Sequence, residues 1–520
     1  MQPRQRGRPG RGRAWRGHVP LGVDVLLALD LLGGVLKWLA LTLAAPAAVA
    51  LADGESALPF LITGFGVGLA GLGLDRLTPD RSGPALGPRE VFLVVALVWA
   101  VVPAFGALPY LLGGVGQLSD PADAYFESMS GFTATGATVL THVEALGQAM
   151  LFWRQLTHWL GGMGILILAI AVLPRLRVGG RGLLQRELPG PSEIEPLGAT
   201  VRELARRLWK VYVGLTATGV LALAVVGWTG LDPAMRPFQA FSYATSAVAL
   251  GGFAPSTDSA RGLAPVTQWI ICALMVAAGI NFLRLHRLLV LRQLRAFARD
   301  QELRLYLALL ALGSIAVGIE LYASHTVRGA GSSVRAAVFQ AVSVMTTTGF
   351  ATLDWTKLGP LATLTLLLLM FVGASSGSTT GSIKVVRHLM LFRLVRRELE
   401  HAVHPEIVVP VRVSGVVVEE DALRSAVMFV VLYVFVFALG AISLVLDARR
   451  VGGQLGAFEA LGAAASCLGN VGPAFGSAGP FGSYAGFTDL SKVMLSLLML
   501  LGRVEIVPVA VLFARSFWRR

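Results

Sequence analysis

The chain has 520 residues, of which 55% are hydrophobic and only 14% charged, with 44 Lys and Arg against 31 Asp and Glu for a formal net charge of +13. That balance excludes an ordinary soluble multi-domain protein and places the chain in a bilayer. The basic excess then belongs at the cytoplasmic ends of helices rather than on a nucleic-acid-binding face, so no nucleic acid partner is expected.

Residues 1–20 form a basic cytoplasmic tail carrying Arg4, Arg6, Arg8, Arg11, Arg13 and Arg16, placed to touch anionic membrane lipid. The apolar run behind it continues to Ala52, well past the roughly 7–15 residues of a signal-peptide core, so it reads as a retained first membrane helix. Segments long enough to span, about 20 residues, follow near 24–52, 57–75, 89–112, 147–174, 207–230, 264–283, 305–323, 358–383, 423–447 and 487–514, ten in all. The two cysteines, Cys272 and Cys467, sit within apolar stretches as small packing residues, which argues against a disulfide framework or a thiolate metal site.

Basic residues follow every second span. Arg175, Arg177, Arg181 and Arg186 come after the fourth, Arg284, Arg287, Arg292, Arg295 and Arg299 after the sixth, Lys384, Arg387, Arg393, Arg396 and Arg397 after the eighth, and Arg515, Arg519 and Arg520 at the end. The positive-inside rule therefore sets both termini in the cytoplasm and turns four short Gly-, Ser- and Thr-rich stretches outward.

Each outward stretch opens with a helix-compatible run containing an aromatic residue and ends in a glycine-centred turn. The turns are Ala134-Thr135-Gly136, Leu250-Gly251-Gly252, Thr347-Thr348-Gly349 and Asn470-Val471-Gly472. Their regular recurrence, with two spans to each, indicates four pseudo-repeats of helix, re-entrant loop and helix around one central pore, in an all-α membrane protein. The repeats run 89–206, 207–302, 303–421 and 422–520, behind two extra N-terminal helices in 21–88. Non-helical backbone at membrane depth needs protein or water around it, and carbonyls turned inward from four such turns replace the hydration shell of a cation. Glycine supplies the positive φ that such turns demand.

Gly373, Ser376, Gly377 and Gly381 interrupt the eighth span. Gly373-Ala374-Ser375-Ser376-Gly377 fits the pattern of a serine-hydrolase elbow, but that elbow needs a strand, a turn and a helix, and this run breaks an apolar span. It reads better as an unwound helix beneath the third turn, with close packing through small residues as the alternative. Lys384 does not complete a nucleotide-binding loop, because Gly-Lys-Ser/Thr is absent.

Two charged residues stand out. Glu127 either faces the mouth of the pore or pairs with a neighbouring helix. Arg503 lies about midway along the last span, where a charge is costly, and Glu505 two positions on points to a different face. Arg503 either projects into the water path as a fixed positive barrier or hydrogen-bonds to carbonyls of the broken eighth span. His158, Asn281, Trp99, Trp153 and Trp159 read as packing or interfacial residues.

The stretch Glu127–Thr138 (ESMSGFTATGAT), Trp159–Gly164 (WLGGMG), Val344–Thr352 (VMTTTGFAT), Asn470–Pro473 (NVGP) and Gly502–Glu505 (GRVE) resemble the signatures of the TrkH/KtrB family of potassium transporters. The resemblance covers nearly the whole chain, and the two extra N-terminal helices favour the TrkH branch. Leu250 stands where that family tends to have Thr, and Gly469 where it tends to have Asn. The resemblance implies potassium uptake across the inner membrane, with no enzyme activity and no covalently bound cofactor. Potassium would bind at the twelve turn residues named above, and the Gly373–Ser382 stretch with Arg503 would act as the gate. It further implies a homodimer served by a cytoplasmic TrkA-like ring, which alone would bind the regulatory nucleotide (ATP, ADP or NAD).

Overall fold

The computed structural model describes residues 23–77, 87–164, 201–290, 292–293, 299–407 and 409–518. The basic tail 1–20, the fourth apolar segment beyond residue 164, and Arg175, Arg177, Arg181, Arg186, Arg295, Arg519 and Arg520 lie outside the described residues.

The chain opens with α1 (Val25–Thr42) and α2 (Ala44–Ala52), which form one apolar span, and α3 (Leu58–Leu77). Small residues let α1 and α3 touch: a Cβ on Gly33 would lie 3.0 Å from the Gly71 carbonyl oxygen, and Lys37 pairs with Asp75 at 2.5 Å beside that contact. Next come α4 (Pro88–Gly106), α5 (Leu108–Leu112), the short α6 (Pro121–Phe132) and α7 (Gln148–Gly162). The same order of long helix, short buried helix and returning helix follows in α8 (Val201–Trp228), α9 (Pro237–Ala249) and α10 (Pro265–Ala278), with α11 (Phe282–Leu289) bent away from α10. Then come α12 (Gln301–Ala323), α13 (Ala330–Met345), α14 (Pro360–Leu369) and α15 (Val385–Val403). Last are α16 (Glu420–Arg450), α17 (Ala457–Gly469), α18 (Asp489–Arg503) and α19 (Val507–Ala510).

The short helices start where their sequences provide caps. Asp120 accepts the Ala122 N–H ahead of Pro121, and Pro237 stands at the first position of α9, where its missing N–H costs nothing. Their buried small residues, such as Ala244, Ala247, Ala463 and Ala464, let α9 and α17 sit deep among the long helices. The long helices keep large apolar side chains outside, among them Leu312, Ile315, Ile319, Phe435 and Leu439. That is the inverse of a soluble protein and the pattern of a lipid-facing surface.

Among the described residues, six helices are long and apolar enough to cross a membrane, or eight if each of two bent pairs counts as one span. The bends depart from the continuous spans expected over 264–283 and 487–514. The first, of 109°, falls between α10 and α11, and the second, of 113°, follows α18. At the first, Gly279 has no room for a side chain, its Cβ position lying 2.5 Å from the Tyr306 hydroxyl, and Asn281 restarts the helix by accepting the Leu283 N–H at 2.9 Å. At the second, Glu505 and Ile506 both take positive φ (64° and 57°), which no α-helix continues. The eighth apolar segment is helical only over Pro360–Leu369 and unwinds before α15. Against the all-α expectation, Arg412–Val413 and Val416–Val417 form a small antiparallel hairpin ahead of α16, turned by Ser414 and Gly415.

Candidate functional site

α6, α9, α13 and α17 end in the same way. After each, one residue takes the left-handed conformation (Ala134 φ 51°, Leu250 φ 56°, Thr347 φ 57°, Asn470 φ 55°), and two positions on a glycine does so too (Gly136 φ 85°, Gly252 φ 78°, Gly349 φ 86°, Gly472 φ 101°). The backbone bonds match as well. The N–H groups of Thr135, Gly251, Thr348 and Val471 each donate to the carbonyl of a serine five residues earlier, Ser130, Ser246, Ser343 and Ser466, at 2.8–3.0 Å. The four glycines have the positive φ expected of them, and in each turn a non-glycine residue adopts it as well; for the β-branched Thr347 this is a strained state worth about 1–3 kcal/mol.

The four turns touch in a closed ring. A Cβ on Gly136 would overlap the carbonyl oxygen of Gly251, one on Gly252 that of Thr348, and one on Gly349 that of Val471. A Cβ on Gly472 would reach within 2.5 Å of the Thr135 carbonyl oxygen, which closes the circle. All twelve turn residues come together here, and four helix C-termini, each carrying partial negative charge, end at the same ring.

Side chains of the ring and of its surroundings fix it. Asn470 Nδ2 donates to Thr135 Oγ1 and to the Met499 carbonyl, both at 2.9 Å, and the Tyr484 hydroxyl donates to the Gly472 carbonyl at 2.9 Å. Ser343 Oγ donates to the Phe350 carbonyl at 2.6 Å, and Gln340 bridges Thr352 and Trp355 at 3.0 and 2.9 Å. On the loops beyond the ring, Glu144 accepts the Thr257 N–H at 2.7 Å; partial burial pushes its carboxyl up, but the Thr257 bonds outweigh this and hold it below the usual range.

The unwound stretch lies against the ring. The Gly381 N–H donates to Thr347 Oγ1 at 3.2 Å, Thr379 Oγ1 reaches the Val248 carbonyl at 3.5 Å, and a Cβ on Gly381 would overlap the Gly469 carbonyl. Its two ends close on each other, with Gly373 N–H donating to Ile383 O at 3.0 Å and Val385 N–H to Ala374 O at 3.1 Å. Gly377 takes φ 73° at the tip. The freed backbone is satisfied by the break between α10 and α11: Ser375 N–H donates to Gly279 O at 3.0 Å, and Phe282 N–H to Gly377 O at 3.2 Å. Ser376 N–H donates to the buried carboxylate of Glu302 at 2.6 Å, and Arg284 joins Glu302 and Asp300 at 2.7 and 3.0 Å.

Arg503 is the last residue of α18, at the bend within the last apolar run, and its guanidinium meets that stretch. It donates to Thr379 O at 2.5 Å, Gly161 O at 2.6 Å and Gly162 O at 3.2 Å, and lies 5.7 Å from the Trp99 ring centre. Glu505 turns away to Lys384 (2.9 Å) and Arg387, at the start of α15. Of the two positions open to Glu127, the structure has the helix pairing: it accepts from Arg154 Nε at 2.7 Å and is fully buried.

Arg154, Gln155, His158, Asn281 and Glu302 are the residues that sequence reading passed over or took as packing. An arginine inside an apolar helix was a usable signal for Arg154. His158, stacked on Phe253 at 3.9 Å, and Glu302 at a helix start carried none. Among the described residues no group of three or more His, Cys, Asp or Glu is placed to hold a metal ion.

Comparison with known proteins agrees with this architecture. A family model described as TrkH, cation transport protein, matches residues 78–520. The Trk system potassium uptake protein TrkH of Halomonas elongata is 34% identical over 503 residues, 96% of this chain and 100% of that protein. Its Escherichia coli K12 counterpart is 34% identical over 436 residues, covering 84% of this chain and 87% of that one. The crystal structure of the potassium transporter TrkH from Vibrio parahaemolyticus superposes with a TM-score of 0.83 at 29% identity, over 96% of this chain and all of that one. With its apolar helices and these matches, the chain is a multi-pass membrane protein that belongs to the TrkH family of cation transport proteins.

Proposed function

We propose that the protein takes up potassium across the inner membrane through a pore at the ring of four turns. The closed contact of Gly136, Gly252, Gly349 and Gly472 with the carbonyl of the neighbouring turn carries this reading, because it brings four carbonyl-bearing turns into one ring. A potassium ion shedding water there meets Ala134, Thr135 and Gly136, Leu250, Gly251 and Gly252, Thr347, Thr348 and Gly349, and Asn470, Val471 and Gly472. The backbone does the binding. In this reading ten crossings, two in the pair of helices in 21–88 and eight in the four repeats (89–206, 207–302, 303–421 and 422–520), follow the tail 1–20, with the ring on the outer side and both termini in the cytoplasm. The short α14 and the α7 segment supply the two crossings beyond the eight counted above.

The Gly373–Ser382 stretch, with Gly373, Ser376, Gly377 and Gly381, obstructs the path below the ring. Arg503 latches it by donating to the Thr379 carbonyl and sets a permanent positive charge beside it. Relatives named for a Trk system support association with further components. In this reading the chain works as a homodimer on a TrkA-like cytoplasmic ring that binds the nucleotide. The test is reconstitution in liposomes: an imposed potassium gradient should set the membrane potential, and varying the pH gradient separately shows whether protons are coupled. Vesicles whose potential ignores potassium at every gradient would refute the assignment.

A further inference from the structure

An ion pair stands behind the first two turns, and neither the ring nor the obstructing stretch uses it. Glu127 in α6 and Arg154 in α7 are 0% and 2% exposed. The Glu127 carboxylate accepts from Thr138 Oγ1 at 2.9 Å and from the Val139 N–H at 3.1 Å, on the strand of chain leaving the first turn. Arg154 Nε donates to Glu127 at 2.7 Å, while its Nη1 donates to the Ala254 carbonyl at 3.1 Å, on the chain leaving the second turn. The guanidinium carbon lies 3.4 Å from the centre of the Phe253 ring, and Gln155 Nε2 donates to the Phe253 carbonyl at 3.1 Å. One planar group thus reaches the exits of two turns. The third turn is braced by the neutral Gln340 and Trp355, and the fourth by the hydroxyl of Tyr484.

We infer that Arg154 is a positioning residue for ion discrimination: it ties the first turn to the second, with Glu127 holding it in place, and so sets the spacing of the carbonyls between them. This rests on the ring being the site of cation selection. An arginine fork points at two acceptors at once, whereas a lysine ammonium on its flexible stem does not reproduce that fixed geometry. A pair retained only to neutralise a buried charge needs no contact to Ala254.

The experiment compares rubidium uptake, competed by sodium, in liposomes holding wild type, Arg154→Lys, Phe253→Leu and Gly349→Ser, with thermal melts of each purified protein. Arg154→Lys keeps a positive charge beside Glu127 but gives up the Ala254 bond, so it should remain folded, with a modestly lower melting temperature, and lose about tenfold in rubidium over sodium discrimination, a change of about 1.4 kcal/mol between the two cations. Phe253→Leu, which removes the ring under the guanidinium, should shift discrimination in the same direction and carries the test if the lysine variant does not fold. Wild-type discrimination in both, with Gly349→Ser altered, overturns the interlock and leaves the ring standing. Lower uptake at an unchanged rubidium to sodium ratio, whatever the melting temperature, also overturns it. If Gly349→Ser too keeps its discrimination, the ring itself is not the selecting site and the inference falls with it.

Discussion

Replacing Gly349 with Ser perturbs the ring at the point where its geometry is most constrained. Gly349 sits at φ 86°, where an L-residue is strained by about 1–3 kcal/mol before any contact is counted. The new Cβ would overlap the Val471 carbonyl oxygen and come within 2.7 Å of Pro473 Cδ. Val471 has little freedom to retreat, because its N–H is held by Ser466 O at 2.9 Å and the next carbonyl, of Gly472, by Tyr484 at 2.9 Å. The strain is therefore relieved by turning the Val471 carbonyl, one of the oxygens proposed to replace potassium hydration. If that displacement changes the relative binding of two cations by about 1.4 kcal/mol, discrimination falls tenfold. Rubidium uptake competed with sodium in liposomes reads it directly. Folded variants at Gly136, Gly252, Gly349 and Gly472 that all keep wild-type discrimination would refute the reasoning.

Three further outcomes concern the Gly373–Ser382 stretch and its proposed role as an obstruction. Shortening it between Ser375 and Thr380 should raise ion flux without altering discrimination, and flat flux in a folded deletion would favour simple close packing. Glu302→Gln trades a charge-assisted bond to the Ser376 N–H for a neutral one and leaves Arg284 with less compensation, which should lower stability by about 1–3 kcal/mol and raise flux several-fold; a drop in melting temperature with unchanged flux would remove Glu302 from gating. Arg503→Ala removes the donors to Thr379, Gly161 and Gly162 together with the charge, and should raise flux in a folded protein, as seen in single-vesicle potassium flux; lower stability with no gain in flux would make it a structural clamp alone.

What sequence reading recovers here follows from the range of the interactions that encode it. The glycine-centred turns are local: a positive φ, a helix end and a polar run all lie within a dozen residues, and the four turns emerge with the same backbone bonding at the positions named from sequence. The long spans are legible for the same reason, through continuous hydropathy. The bends are not. Pro265–Leu289 and Asp489–Phe513 are each apolar enough to read as one run, and what breaks them is distant, such as the Tyr306 hydroxyl occupying the space beside Gly279 and the Lys384–Arg387 pair drawing Glu505 off the helix. Hydropathy averages over such contacts.

The last span shows how one misplaced bend alters a chemical argument. In a straight helix, Arg503 and Glu505 are stranded charges on different faces, each in need of a partner at mid-membrane. Once the helix ends at Arg503, the two diverge by construction. Arg503 takes the carbonyls left bare by the unwound stretch and by the end of α7, and Glu505 takes the cations that open α15. Gly373–Ser382 is therefore held at its centre by Arg503 and Glu302, and the helix that leaves it is held by Glu505. A force that rotates α15 acts first on Lys384 and Arg387, pulls against Glu505, and through the short bend at Val504 reaches the guanidinium on Thr379. The residues that the sequence makes look like isolated membrane charges are, in the folded chain, the two ends of a single connection between α15 and the Gly373–Ser382 stretch.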